Sequence, residues 1–225
     1  MHRLYGGGIH ADPDDVTPDW SDLRGGLDDN GAPFNVAYWY YDGDHLMFRI
    51  RIDQAPQQCT DVWQVLLDTD TDDGVDWVLQ VDFQSDDAVE LSQATVEGPT
   101  IGDVEFNSTP SWTGDIAIYH ECQDPASDGS YFDGEADVFN DLAMPWSTLS
   151  SLTGITKHTP LRVGLSTATQ DNVINKDYPL GLSDADAIAD VFSDEFLVPE
   201  PTTIGLVAIG LFGIGARLRN RRRAA

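Results

Sequence analysis

The sequence predicts an all-β fold, an antiparallel β-sandwich of jelly-roll-like type. Three observations carry that expectation. Apolar and polar residues alternate with period two over many short stretches, turn dipeptides separate the stretches, and helical periodicity is nearly absent. The turn dipeptides are Asn30-Gly31, Asp42-Gly43, Asp73-Gly74, Asp128-Gly129 and Asp133-Gly134. Of the 39 acidic residues 32 are Asp and 7 are Glu, and Asp favours turns where Glu favours helices.

The elements follow in order. Val36 to Tyr41 reads as a strand, and the Asp42-Gly43 hairpin signal joins it to Leu46–Ile52, where Leu46, Phe48, Ile50 and Ile52 share one face. Asp61 to Leu67 and Asp76 to Phe83 form a second pair. Trp63, Val65 and Leu67 line one face there, with Trp77, Leu79, Val81 and Phe83 on the other strand, and both tryptophans are expected in the core. Further strands are expected at Val89–Val96, Asp115–His120, Glu135–Leu142, Leu161–Thr169 and Ile188–Phe192. Pro145 to Leu149 starts a short helical turn, with proline at an early position. At 225 residues the chain has room for one medium domain, placed at residues 10–197, with residues 1–9 expected outside the fold as a disordered N-terminus.

Charge narrows the range of partners. The chain holds 39 acidic and 12 basic side chains, a net charge of -27, and five of the basic residues stand in the last nine positions. Up to Val198 the count is 7 basic against 38 acidic, a net of -31. Such a surface repels phosphate backbones, which excludes nucleic acid as a partner, and it repels anionic membranes equally. Adaptation to salt is another origin for the same surface.

The C-terminal stretch has three features in order: the rigid segment Val198-Pro199-Glu200-Pro201, the uncharged run Thr203–Ala216, and the cluster Arg217, Arg219, Arg221, Arg222 and Arg223. Two prolines keep the tetrapeptide extended. As a helix, the apolar run would reach about 21 Å, short of a hydrocarbon core of roughly 30 Å, so a short transmembrane helix is expected with its arginines snorkelling. The basic cluster then holds the chain end on the cytoplasmic side. This order resembles the PEP-CTERM sorting signal of Gram-negative bacteria over residues 198–225. The resemblance implies handling by an exosortase, a membrane cysteine transpeptidase that cuts near the box. It also implies transient anchoring in the inner membrane, then release to the cell surface or extracellular matrix, often alongside exopolysaccharide. Such proteins carry an N-terminal export signal, and Met1–Asp15 contains no apolar stretch of that kind, so the true start is expected further upstream.

Within the main domain, Asp68, Asp70, Asp72, Asp73 and Asp76 crowd one loop between two strands. Alternate carboxylates on a tight loop suit calcium, which takes oxygen ligands only. An EF-hand is excluded, because the loop lacks the glutamate at position twelve and the flanking helices; an ordinary acidic turn is the alternative. The two cysteines, Cys59 and Cys122, are compatible with one disulfide in an exported protein, with two separate thiols, or with metal ligation through His120 and Cys122.

Four pieces also resemble the family-9 carbohydrate-binding modules and DOMON-like sandwiches: Asp14–Trp20, Ala37–Leu46, Val65–Phe83 and Leu142–Ser147. That resemblance implies a sandwich that binds sugar through exposed aromatics and holds calcium in an acidic loop. Tyr38, Trp39 and Tyr40, with Arg49 and Arg51 nearby, form the expected sugar platform, since rings stack on pyranose faces and charged neighbours bind hydroxyls. No nucleophile elbow, zinc-protease helix or phosphate loop occurs in the chain, and five histidines show no ligand spacing. The expectation is therefore a non-catalytic exported protein, with a calcium-dependent carbohydrate-binding module as the alternative and a glycan-acting hydrolase third.

Overall fold

The computed structural model describes residues 1–5, 22–53, 62–82, 88–96, 98–123, 129–132, 134–170 and 173–198. In chain order the strands are β1 (His2–Arg3), β2 (Gly26–Leu27), β3 (Pro33–Phe34), β4 (Ala37–Tyr41), β5 (His45–Ile52), β6 (Val62–Asp68), β7 (Trp77–Asp82) and β8 (Ala88–Val96). Then come β9 (Glu105–Phe106), β10 (Trp112–Asp115), the helix α1 (Ile116–Tyr119) and β11 (His120–Gln123). The series closes with β12 (Tyr131–Phe132), β13 (Glu135–Ala136), β14 (Val138–Pro145), the helix α2 (Trp146–Thr153) and β15 (Arg162–Ala168).

Two antiparallel sheets dominate. One has the order β1-β4-β5-β14-β11, and the other β10-β8-β7-β6-β15 with β9 added to β8. Alternation decides which side chains meet between them. Trp39, Leu46, Phe48, Ile50, Leu142 and Met144 from the first sheet join Trp63, Val65, Leu67, Leu79, Leu91 and Val163 from the second in one buried apolar cluster. The two tryptophans expected in the core, Trp63 and Trp77, are both there. The connectivity departs from a jelly roll. β6, β7 and β8 run as a meander inside one sheet, because the acidic loop closes as a hairpin with the Asp76 amide donating to Leu67 O at 2.9 Å.

A second buried cluster lies on the far side of β6, which is buried on both faces. Leu66 and Val78 point that way and meet Ile101, Val104, Phe106, Tyr178, Val191 and Phe192 from irregular segments. A polar ladder crosses the same face: Ser166 Oγ donates to Gln64 Oε1 (2.6 Å), Gln64 to Gln80 (3.2 Å) and Gln80 to Glu90 (3.2 Å). Gln64 also donates to Val173 O at 2.9 Å, which ties the covering segment down.

Several expectations need correction. The first five residues belong to the fold: His2 and Arg3 pair with Trp39 and Tyr38, Leu4 and Tyr5 are buried, and Tyr5 Oη donates to Val191 O at 3.0 Å. Residues 116–119 form a helical turn in place of the expected strand, because the Asp115 carboxylate accepts from the Ala117 amide and caps it. Ile188–Val191 is a 3-10 turn, not a strand. Helix α2 follows Pro145 as expected and stops at Gly154, whose φ of 78° suits glycine. The domain also extends past residue 197, since Val198 belongs to the inter-sheet cluster.

Arg51, expected at a sugar platform, is fully buried. Its guanidinium lies over Phe34 and Phe139 at 4.9 and 4.7 Å, donates to Asn35 O and Ser130 Oγ, and pairs with Asp137 at 3.2 Å. Burial pushes the Asp137 carboxyl up to about 6, against the lowering effect of Ser130 and Arg51. Arg51→Ala strands Asp137 in the interior and is expected to cost about 3–5 kcal/mol of unfolding free energy in urea denaturation at pH 7. Because the folded state holds the Asp137 proton more tightly than the unfolded chain, this group adds stability as pH falls from above 6 towards 4. Wild type should therefore gain stability relative to Asp137→Asn across that window; parallel pH curves for the two proteins would contradict this.

Candidate functional site

The acidic loop between β6 and β7 brings three of its five carboxylates together. One ligand oxygen each from Asp68, Asp70 and Asp76 lies within 4.8 Å of the others. Asp68 is fully buried at the end of β6 and accepts from the Thr71 amide at 2.6 Å and the Asp73 amide at 3.3 Å. Asp76 accepts from both the amide and the hydroxyl of Thr69, each at 2.6 Å. Tight winding puts Thr71 and Asp73 at φ of 64° and 74°, a strained region for side-chain-bearing residues. Asp72 and Asp73 stand outside the group of three. Asp72 accepts from the Gly74 amide at 2.9 Å, and Asp73 pairs with Arg162 from β15.

Electrostatics in the loop reflect this crowding. Burial raises the Asp68 carboxyl above its ordinary range, although the Thr71 and Asp73 amides and Arg162, 3.5 Å away, oppose it. Burial also raises Asp70, with the negative charges of Asp76 and Asp72 adding to the effect. Three oxygen donors at this spacing suit a hard divalent cation, which would take its remaining ligands from backbone carbonyls or water.

The expected sugar platform separates into two faces. Successive residues of β4 point to opposite sides, so Trp39 faces inward while Tyr38 and Tyr40 face outward. Trp39 is 5 % exposed, held between the rings of His2 (4.7 Å) and Phe196 (4.3 Å). It cannot serve as an exposed platform, and neither can Arg51. Tyr38 is half-buried beside Arg3 and Arg49. Tyr40 and Arg49 do reach a common surface, a cleft of about 410 Å³ on the outer face of the first sheet.

Met47, Ala143 and Ile118 supply the apolar surface of this cleft, with Tyr40 as an exposed ring, Tyr119 as a half-buried one, and Glu121 and Asp141 as its acids. Arg49 grips Asp141 through two hydrogen bonds, at 2.7 and 2.5 Å, and lies over Phe139 at 4.7 Å. Sequence reasoning missed Asp141, Glu121 and Tyr119. They sit some 70 to 90 positions beyond Arg49, and only the pairing of β11, β14 and β5 places Glu121 and Asp141 in register with it. No local motif could have signalled them.

Cys59, residues 199–201 of the box, the apolar run 203–216 and the arginine cluster lie outside the described residues, and so does any pairing of Cys59 with Cys122. Among the described residues no helix is long and apolar enough to cross a membrane. Val198 is described, and it is buried at 3 % exposure.

The domain is thus an all-β body whose last described residue opens a C-terminal sorting signal. Residues 197–222 match the family model described as the PEP-CTERM protein-sorting motif. No curated protein and no solved structure matches the chain. The motif marks the chain as an exported protein sorted by an exosortase, the arrangement found in Gram-negative bacteria.

Proposed function

We propose that this chain is a non-catalytic protein of the cell surface or extracellular matrix, released from a transient inner-membrane anchor by exosortase and associated with exopolysaccharide. The observation that carries the reading is the sorting motif at residues 197–222. An uncharged run followed by five arginines suits a membrane stop that is discarded on processing. A non-catalytic role agrees with the cleft chemistry. Of its two acids, Asp141 is held in a bidentate pair by Arg49, so it serves to order strands β5 and β14.

A second reading, direct and calcium-dependent carbohydrate binding, is favoured by the same cleft. Tyr40 is 41 % exposed at its edge and offers a ring to the apolar face of a pyranose. Arg49, Asp141 and Glu121 offer donors and acceptors to its hydroxyls. Calcium held by Asp68, Asp70 and Asp76 would offset the burial that raises the Asp68 and Asp70 carboxyls, and would neutralise the smaller mutual repulsion that adds to it.

Mass spectrometry of the product at the host's surface tests the first reading: it should lack Arg217–Arg223, whereas an intact basic end on mature surface material would overturn it. For the cleft, titration against oligosaccharides of the host's own polymer should show Tyr40→Ala binding about tenfold more weakly than wild type. For the loop, free calcium at a hundredfold excess over its Kd should add about 2.7 kcal/mol of stability to wild type and nothing comparable to Asp70→Asn. Equal melting temperatures in calcium and in chelator would remove the calcium site.

A further inference from the structure

We propose that docking of Asp194–Val198 onto the domain controls when exosortase can reach the sorting box, so that processing acts on an undocked tail. This rests on the sorting reading above. The motif match begins at residue 197, yet the chain there is still part of the folded body: Val198 is 3 % exposed within the inter-sheet cluster. Two residues earlier, Phe196 exchanges both backbone hydrogen bonds with Leu161, each at 3.0 Å. Its ring stacks on Trp39 at 4.3 Å with 23° between the planes. The Ser193 amide donates to Val163 O at 2.8 Å, so residues 193–196 run along β15 as an added edge. Leu197, between two inward-facing residues, is 53 % exposed, as extended backbone requires.

The consequence is steric and energetic. The box begins at Val198, a residue that is itself held in the core. An enzyme that receives an extended peptide uses the backbone donors and acceptors and the side chains flanking the bond it cuts. Here Phe196 has already committed its backbone donor, its acceptor and its ring to the domain, and Val198 its side chain. Occupying the enzyme's groove therefore requires the tail to leave β15 and Trp39 first. The apparent processing rate then scales with the undocked fraction, and burial of two apolar side chains holds that fraction at roughly one in ten or below. Trp39 and Phe196 are positioning residues in this scheme, setting access to the box without touching the bond that is cut.

A pulse-chase of the full chain in its exosortase-bearing host tests the proposal. Inserting Gly-Ser-Gly-Ser-Val between Val198 and Pro199 leaves the docked tail intact and moves a complete Val-Pro-Glu-Pro box five residues away from it. The insertion variant should be processed roughly tenfold faster or more than wild type, with an unchanged melting temperature. Phe196→Ala should also be processed faster, but with a lowered melting temperature. Equal processing of the insertion variant and wild type would overturn the proposal, and so would acceleration by Phe196→Ala alone, which would reflect general loosening. If neither protein is processed, the sorting reading fails and this inference falls with it.

Discussion

Three rings close the edge of the sandwich at which both described ends of the chain meet: His2, Trp39 and Phe196, stacked at 4.7 and 4.3 Å. Trp39 belongs to the inter-sheet cluster, so the stack continues the core out to the edge. An aromatic pair contributes about 0.5–1.5 kcal/mol beyond its buried area, and here two such pairs share one indole. That contact holds β1 on β4, and it holds the 193–198 segment across the gap between the sheets. The same edge covers backbone that a bare sandwich would leave open to pairing with other chains.

The excess of acid shapes the rest of the molecule. Four arginines in the described fold each take an aspartate as partner: Arg24 with Asp53, Arg49 with Asp141, Arg51 with Asp137, and Arg162 with Asp68 and Asp73. Three of these arginines also lie over a phenylalanine of their own neighbourhood (Phe132, Phe139 and Phe192 respectively for Arg24, Arg49 and Arg162), and Arg51 lies over two rings. Much of the scarce positive charge is thus consumed in organising strands, which leaves the exterior strongly negative. Such an exterior repels other anions. The cleft and the acidic loop share this logic, since each holds its crowded acids with an arginine from a distant strand.

Much of the strand content was legible because alternation is a local signal. Leu46, Phe48 and Ile50 declare one buried face, and Asp42-Gly43 declares the hairpin that feeds it. Local signals misled at 116–119, where Ile116 and Ile118 favour a strand but one capping bond from Asp115 suffices to wind the chain. They also misled at Trp39, whose exposure depends on what covers β4. Its covers are His2 and Phe196, one near each end of the sequence, and nothing near Trp39 announces either.

The sequence by itself determined the all-β class, the inward position of Trp63 and Trp77, the crowding of aspartates at 68–76 and the sorting motif. Each of these is written in residues adjacent or nearly adjacent along the chain. Tertiary structure alone decided that only Asp68, Asp70 and Asp76 converge, that Arg51 is interior while Arg49 reaches a cleft, and that Val198 belongs to the core. The physical reason is that convergence and burial are set by partners far away in sequence, such as Arg162, Asp137 and Leu161, which only strand pairing and sheet packing bring within reach.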